Sequence, residues 1–399
     1  MVIQAKTIIL GVSGSIAAYK AAEIASRLTK DGAKVEVVMT EAATKFITPL
    51  TLRSITGKPV ITSMWDMASQ FSIEHVALAE AADIVVIAPA TADTIARLAV
   101  GRADDILSCT VLATKAPVIL APAMNDNMYG NVATQENIEK LKARDFLFIE
   151  PEYGRLASGK EGKGRLAKVS QIIGVIKQTL GRNGDLADRK VVVTAGGTRE
   201  PVDPVRYIGN RSSGKMGYAL AEAARDRGAE VKLVTAAVSL PPSAGIDVVP
   251  VETALGMKLA VTSAMEEADA LIMAAAVADF QPKMAVDTKI KKESLGLTLE
   301  LMKTPDIISE AKGTFIKVGF AAETEDMIAN ARKKLKEKKL DLIVANDVKA
   351  EGSGFGVDSN RVIIIDKDGT IEKLPLMLKR EVADRILNRV VALLKVKSK

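Results

Sequence analysis

The chain has 399 residues, 48% of them hydrophobic but only 4% aromatic, with a formal net charge of +6 and a single cysteine. That length asks for two or three domains, and a composition rich in Ala, Val and Ile suits packed α/β layers better than a β-sandwich. One cysteine excludes an internal disulfide framework and Cys-rich metal sites, while a modest positive charge without interleaved aromatics favours anionic small molecules over nucleic acid.

Taken in chain order, Thr7 to Val12 reads as a strand, Ser13 to Ser15 as a Gly/Ser turn, Ile16 to Lys30 as an Ala-rich helix, and Lys34 to Met39 as a second strand. Strand, glycine turn, helix, strand is the opening unit of a doubly wound parallel sheet. A helix start of this kind suits a phosphate, although a purely structural turn explains the pattern equally well. His75, the only histidine, follows Ser72, a candidate N-cap. It reads either as a surface residue or, in a first helical turn, as a neutral imidazole able to act as a base or steer a carboxylate. Ala82 to Asp93 reads as a buried strand running into a polar loop. Ala121 to Tyr129 ends in an amide-rich turn, and the Gly/Lys stretch Leu156 to Leu166 is a linker or a lid over an anionic ligand. The polar segment Gly181 to Asp185 puts a domain boundary near residue 189, giving domains 1–189 and 190–399.

The second half repeats the grammar: a strand from Lys190 to Thr194, a helix from Gly217 to Arg227 closed by Gly228, and a strand from Glu230 to Thr235. Ala268 to Asp279 echoes Ala82 to Asp93. Gly209 to Lys215 fits G-x-x-x-x-G-K, but Met216 stands where a P-loop needs Ser or Thr, and about fifteen residues separate the motif from its strand. A P-loop is rejected; Ser212-Ser213-Gly214 still reads as an anion-binding helix start. The loop from Ala195 to Asn210 is too polar and too long for a plain connection. The basic runs Lys289 to Lys292 and Lys333 to Lys339 are either solvated faces or anion contacts. No signal peptide and no apolar run long enough to span a membrane is recognised, so a soluble cytoplasmic protein is expected.

Residues 1 to about 175 resemble the flavin-containing cysteine decarboxylase family. The resemblance rests on Gly11 to Lys20, His75, Pro89-Ala90-Thr91-Ala92-Asp93, Pro122-Ala123-Met124-Asn125-x-x-Met128 and the Gly-rich clamp ending in Gly164-Arg165. It implies FMN, with the phosphate on Gly14, Ser15 and Ile16 and further contacts from Thr40, Thr91, Asp93 and Ser108. It also implies that His75 and Asn125 handle the substrate carboxylate. In the clamp the family places a cysteine, a proton donor, between Ala and Gly; this chain has Ser158 there. The sole cysteine, Cys109, falls in the flavin-contacting region instead.

Residues 190–399 resemble the phosphopantothenate–cysteine ligase family. The matching segments are Thr194 to Pro201, Asp203 to Gly217, Ala275 to Asp279, Lys289 to Lys292, Pro305 to Ile308, Val318 to Glu323 and Ala345 to Asp347. The resemblance implies attack of the 4′-phosphopantothenate carboxylate on the α-phosphate of CTP, then displacement of CMP by the amine of cysteine. Lys289 would stabilise the transferring phosphate and Asn210 would position the acyl-cytidylate. Ala275, Asp279, Pro305, Asp306, Ile307, Ile308, Phe320, Lys334 and Lys338 would hold the nucleotide, and Mg²⁺, on ligands the resemblance leaves unassigned, would neutralise the triphosphate.

Both families in this order in one chain resemble the bifunctional decarboxylase–ligase family of coenzyme A biosynthesis. The resemblance implies two doubly wound α/β domains, a flavodoxin-like FMN domain followed by a Rossmann-like ligase domain. It also implies a homo-oligomer built from trimers of the first domain and dimers of the second. Two other readings remain: a tandem NAD(P) oxidoreductase, which lacks a full G-x-G-x-x-G in either half, and a non-catalytic flavoprotein, which leaves the second half idle.

Overall fold

The computed structural model describes residues 2–65, 74–236, 238–241, 243–291, 297–323, 326–347, 354 and 356–397. The chain forms two compact units, Met1–Gly181 and Arg182–Lys399. The division falls at the start of the polar stretch rather than near residue 189. Leu186 explains why, since it is fully buried in the core of the second unit and its N–H donates to Arg227 O at 3.0 Å.

In the first unit, strands β1 (Thr7–Val12), β2 (Lys34–Met39), β3 (Val60–Ile61), β4 (Ile84–Ala90), β5 (Val118–Pro122) and β6 (Leu147–Phe148) form a parallel sheet in the order β3-β2-β1-β4-β5-β6. Leaving aside the two-residue β3, this is the flavodoxin strand order. Side chains alternate between two cores, Ile8, Leu10 and Val12 on one face and Ile9 on the other, which is why the strands read as continuous apolar runs. The helices are α1 (Lys20–Lys30), α2 (Pro49–Thr56), α3 (Glu74–Ala81), α4 (Ala92–Val100), α5 (Ile106–Ala113), α6 (Asp126–Tyr129), α7 (Val132–Lys142) and α8 (Val169–Gly181). On α1, Ala21, Ile24, Ala25 and Leu28 repeat at helical spacing and are buried. The helix expected from Ile16 begins instead as a 3₁₀ turn, Ile16–Tyr19, because Ser15 O takes the Ala18 N–H. Ser72, the expected cap before His75, lies outside the described residues.

The Gly/Lys stretch is neither linker nor loose lid. It is an antiparallel hairpin of β7 (Glu152–Arg155) and β8 (Glu161–Arg165), with Gly162 and Gly164 buried. The hairpin lies so close to the 124–126 turn that Met124 N donates to Gly164 O at 3.0 Å, and a Cβ on Gly164 would sit 2.1 Å from Met124 O.

In the second unit, the strands of the main sheet are β9 (Lys190–Gly196), β12 (Glu230–Ala236), β13 (Asp247–Val251), β14 (Ala270–Met273), β17 (Ile316–Glu323), β18 (Leu342–Asp347), β20 (Val362–Asp366) and β21 (Ile371–Lys373). Their order is β13-β12-β9-β14-β17-β18-β20-β21, a Rossmann sheet extended by two antiparallel strands. Small pairs flank it: β10 (Arg199–Pro201) with β11 (Tyr207–Gly209), β15 (Phe280–Pro282) with β16 (Leu301–Lys303), and β19 (Ser359–Asn360) with β22 (Met377–Leu378). The helices are α9 (Lys215–Arg225), α10 (Ala254–Ala264), α11 (Ile307–Glu310), α12 (Met327–Glu337) and α13 (Lys379–Lys397). Helix α9 seats directly on β9 because Gly217 has no Cβ to strike Ala195. It ends at Arg225 with Asp226 as its C-cap, and Gly228 lies beyond at φ +94°. No helix among the described residues is long and apolar enough to cross a membrane.

Replacing Gly164 tests the hairpin. Gly164→Ala forces Met124 O away, so the hairpin should open more often. Trypsin cleavage at Arg155, Lys160 and Lys163 in the native protein should accelerate by about tenfold, the equivalent of roughly 1.4 kcal/mol in local opening. Unchanged cleavage would remove the role given to this contact.

Candidate functional site

Each unit carries a cavity at the carboxyl end of its parallel sheet, where doubly wound folds bind ligands. In the first unit it measures about 460 Å³, within the range of cofactor pockets. One wall is the turn after β1. Ser15 caps the 3₁₀ turn, accepting from Ala17 N at 3.3 Å and donating to Ala123 O at 3.2 Å. Gly14 packs against Ala42, where a Cβ would clash at 2.5 Å. Gly14, Ser15 and Ile16 thus reach the cavity as backbone at a helix start, an arrangement suited to an anion.

A second wall is Thr91, the N-cap of α4, whose hydroxyl accepts from Thr94 N at 3.2 Å. The β4 strand therefore runs straight into a capped helix, not into the polar loop its sequence suggested. Ser13, 1% exposed, ties these two walls together: its hydroxyl donates to Pro89 O at 2.7 Å and accepts from Thr91 N at 3.0 Å. Nothing in its residue type distinguishes it from the other serines of the turn.

Asn125 forms the third wall as N-cap of α6, its side-chain carbonyl accepting from Asn127 N at 3.0 Å. Packed beside it, the β7–β8 hairpin contributes exposed Ser158 at its tip and Arg165 at its base. The hairpin is held from outside by Lys163, which pairs with Glu150 and lies over the Tyr129 ring at 5.5 Å. Lys20 lines the cavity as well, donating to Leu166 O at 3.3 Å. Burial and the neighbouring Arg165 charge push its ammonium below the ordinary lysine range. Lys20 was visible only as the end of the Gly11 to Lys20 match.

The remaining expected flavin contacts are placed elsewhere. Asp93 is on the first turn of α4 and pairs with Arg97 at 2.9 Å. Ser108 is buried in a capping box with Asp105, accepting and donating within that pair. Thr40 accepts from Ala43 N beyond β2, and His75, expected at the substrate carboxylate rather than at the flavin, is half-buried near the start of α3; none of these four residues is in the cavity wall. Cys109 points its thiol at Met64 Sδ, 3.3 Å away. Burial, with Asp105 and Asp104 nearby, pushes that thiol up, which disfavours a thiolate.

The cavity of the second unit is larger, about 770 Å³. It brings together Asn210, Ala275, Asp279, the Pro305 to Ile308 turn, Phe320, Lys334 and Lys338, drawn from segments far apart in the chain. Hydroxyls fix the segment after β14: Thr194 accepts from Ala275 N at 3.1 Å, Thr198 from Ala278 N at 2.9 Å, and Thr304 donates to Ala278 O at 2.6 Å. Asn210 reaches the same segment, its amide donating to Val277 O at 2.9 Å. Gly197 and Gly209 allow the long loop to fold back on itself, with hypothetical Cβ contacts of 2.5 Å to Asn210 O and 2.4 Å to Thr198 O.

Asp306 caps α11 and pairs with Lys338 at 3.1 Å. Burial pushes its carboxyl up, but Lys338 and Ser309 outweigh this and hold it below the ordinary range. Lys334 on α12 and Lys338 at its C-cap line the cavity, while Lys333 pairs with Glu337. Lys215, the P-loop-like lysine, pairs with Asp358 at 2.7 Å and donates to Gly356 O.

Lys289 is exposed and is not in the cavity wall. Its segment is anchored by Asp203, 4% exposed, which accepts from Val205 N, Arg206 N and Ile290 N at 2.8, 2.7 and 3.2 Å. Burial pushes the Asp203 carboxyl up, but these donors and the Arg206 charge prevail and hold it below the ordinary range. Lys292 lies outside the described residues.

These features match known proteins along the whole chain. Residues 2–181 match the Flavoprotein family model, and residues 186–394 match that of the DNA/pantothenate metabolism flavoprotein C-terminal domain. The coenzyme A biosynthesis bifunctional protein CoaBC of Bacillus subtilis (strain 168) is 47% identical, with 98% of each chain covered. The protein of the same name from Escherichia coli (strain K12) is 44% identical, again over 98% of both chains. A solved C-terminal domain of a CoaBC protein is 40% identical over 53% of this chain and 98% of that one, with a TM-score of 0.46. The two family models in succession and the full-length relatives place this chain in the family of bifunctional coenzyme A biosynthesis proteins.

Proposed function

We propose that the second unit joins 4′-phosphopantothenate to cysteine with CTP, and that the first unit decarboxylates the product to 4′-phosphopantetheine. The observation that carries the reading is the convergence of Asn210, Asp279, the Pro305 to Ile308 turn, Phe320, Lys334 and Lys338 on one cavity.

In the ligase unit the substrate carboxylate forms a bond to the α-phosphorus of CTP and pyrophosphate leaves. The amine of cysteine then forms the amide bond and CMP leaves. The chain's residues bind and orient. Lys334 and Lys338 attract the nucleotide, Phe320 offers it an apolar face, and Asn210 holds the acyl-cytidylate by its carbonyl side. Lys289 is assigned charge stabilisation at the transferring phosphate on the resemblance alone, since it stands outside the cavity wall in this structure. Mg²⁺ enters with the triphosphate; among the described residues no group of three or more His, Cys, Asp or Glu is disposed to hold a metal beforehand.

In the decarboxylase unit, the helix-start cradle of Gly14, Ser15 and Ile16, closed by Thr91, fits the phosphate end of FMN. When bound, FMN supplies the two-electron redox chemistry that turns a cysteinyl carboxylate into a leaving group. Asn125 holds that carboxylate, and the hairpin excludes water above it. His75 is assigned to the cavity of a neighbouring copy, as the trimers of the resembled family imply. Dimers of the ligase unit would complete a larger homo-oligomer, at work in the cytoplasm.

The direct test is turnover of phosphopantothenate, cysteine and CTP by the purified chain, with visible flavin absorbance recorded beforehand. Product and CO₂ together with flavin bands are expected. Lys289→Gln should stop pyrophosphate release, whereas Asn210→Asp should let acyl-cytidylate accumulate; wild-type rates in both variants would refute these roles.

Asp203 supplies a pH signature. Its folded carboxyl lies below the unfolded value of about 3.9, so its stabilising contribution is present above that pH and is lost as pH falls through the folded value. Asp203→Asn should lower both the Tm and the rate of pyrophosphate release at neutral pH. The Tm gap to wild type should close on acidification below about 3.9. A gap independent of pH would contradict the anchoring role.

Ser158 cannot repeat thiol chemistry, since an aliphatic hydroxyl is a far weaker acid than a thiol with pKa about 8.5. Another donor, a held water or Lys160, completes the reaction. Ser158→Ala is therefore expected to lose no more than about tenfold in rate. A variant that stalls before product, with unsaturated thiol trapped on the protein, would make Ser158 the donor.

A further inference from the structure

In the wall of the second cavity, Lys379 stands at the first position of α13 with only 5% of its surface exposed. Its ammonium donates to two carbonyls, Gly354 O at 3.0 Å and Val357 O at 2.5 Å, and no carboxylate bonds to it among the described residues. Burial, and next the charge of Lys215, push its ammonium below the ordinary lysine range; Asp358 opposes this, but its carboxylate is held by Lys215.

A buried cation served only by carbonyls is costly unless an anion offsets it. Among the described residues, two carbonyl bonds occupy two of its three N–H donors. The groups beside it in the cavity wall favour negative charge. Lys215 is there, and so is the start of α9, where Gly214 has φ +73° and its residue provides no side-chain cap. Asn360, 1% exposed, lines the same cavity.

We propose that Lys379 is a binding residue of the ligase reaction, contributing with Lys215 to a subsite for a phosphate oxyanion. This rests on the ligase reading given above. Two phosphorylated groups could fill the subsite: the polyphosphate chain of the nucleotide or the terminal monophosphate of the acyl substrate. Either exchanges the cost of an isolated buried charge for a charge-assisted hydrogen bond.

The test uses the full chain and Lys379→Gln, which keeps N–H donors for the Gly354 and Val357 carbonyls but removes the charge. Wild-type pyrophosphate release from CTP, phosphopantothenate and cysteine is measured first, and its absence would count against the ligase reading alone. Calorimetric Kd values for inorganic pyrophosphate, CTP and phosphopantothenate are then compared. A loss of about tenfold or more for CTP and pyrophosphate assigns the subsite to the polyphosphate. The same loss confined to phosphopantothenate assigns it to the monophosphate. If all three Kd values match wild type, the proposal is overturned, whatever the Tm does. Lys379→Met serves as the second variant should the first fail to fold, and is judged on the same Kd values.

Discussion

Backbone packed against backbone, at positions with no room for a Cβ, determines the shape of both cavities. Gly164 lets the hairpin lie on the Met124 carbonyl, and Gly197 and Gly209 let the long loop of the second unit close on itself. Gly217 brings α9 against β9, which sets where its first turn meets the cavity. Such contacts are short and inextensible, so the side chains that follow them, Asn125 in one unit and Asn210 in the other, inherit defined positions without needing a rigid partner of their own.

The two units use one architectural principle for different purposes. In the first, the end of β4 passes at once into a capped helix, and Ser13 ties that cap to the turn after β1. In the second, the equivalent strand stops at Met273 and is followed by a loop held by Thr194, Thr198 and Thr304. A capped helix start presents N–H groups to an anion; a loop laced by hydroxyls presents a longer edge that can run alongside an extended nucleotide. Similar sequence at Ala82 to Asp93 and Ala268 to Asp279 therefore does not mean similar local structure.

Much of this was legible in the sequence. Periodic apolar runs and glycine turns locate the parallel strands, because strands buried on both faces have little polar alternation to obscure them. The expected ligase residues other than Lys289 gather on one cavity, since motifs of that kind follow loops at strand ends. What was not legible has a common cause. Ser13, Thr194 and Lys379 take their roles from groups far away in sequence, and a buried lysine looks the same on paper as a solvated one. Ser108 shows the converse: a residue inside a recognised segment also serves its own helix cap, which the segment does not reveal. Gly162 and Gly164 suggested flexibility, whereas each is glycine because another backbone or side chain occupies the space its Cβ would need.

The state of the sulfur in this chain has a chemical consequence of its own. With serine at the hairpin tip, the one thiol is Cys109, half-buried against Met64 and kept protonated by its surroundings. Alkylating agents and many oxidants act on thiolates, so the thiol-directed route is closed here, and the oxidisable sulfur of the first cavity is the thioether of Met124 and Met128. Under peroxide stress the sulfurs at risk are then the thiol of the substrate and the half-exposed thioether of Met128, a lesion that sulfoxide reductases reverse.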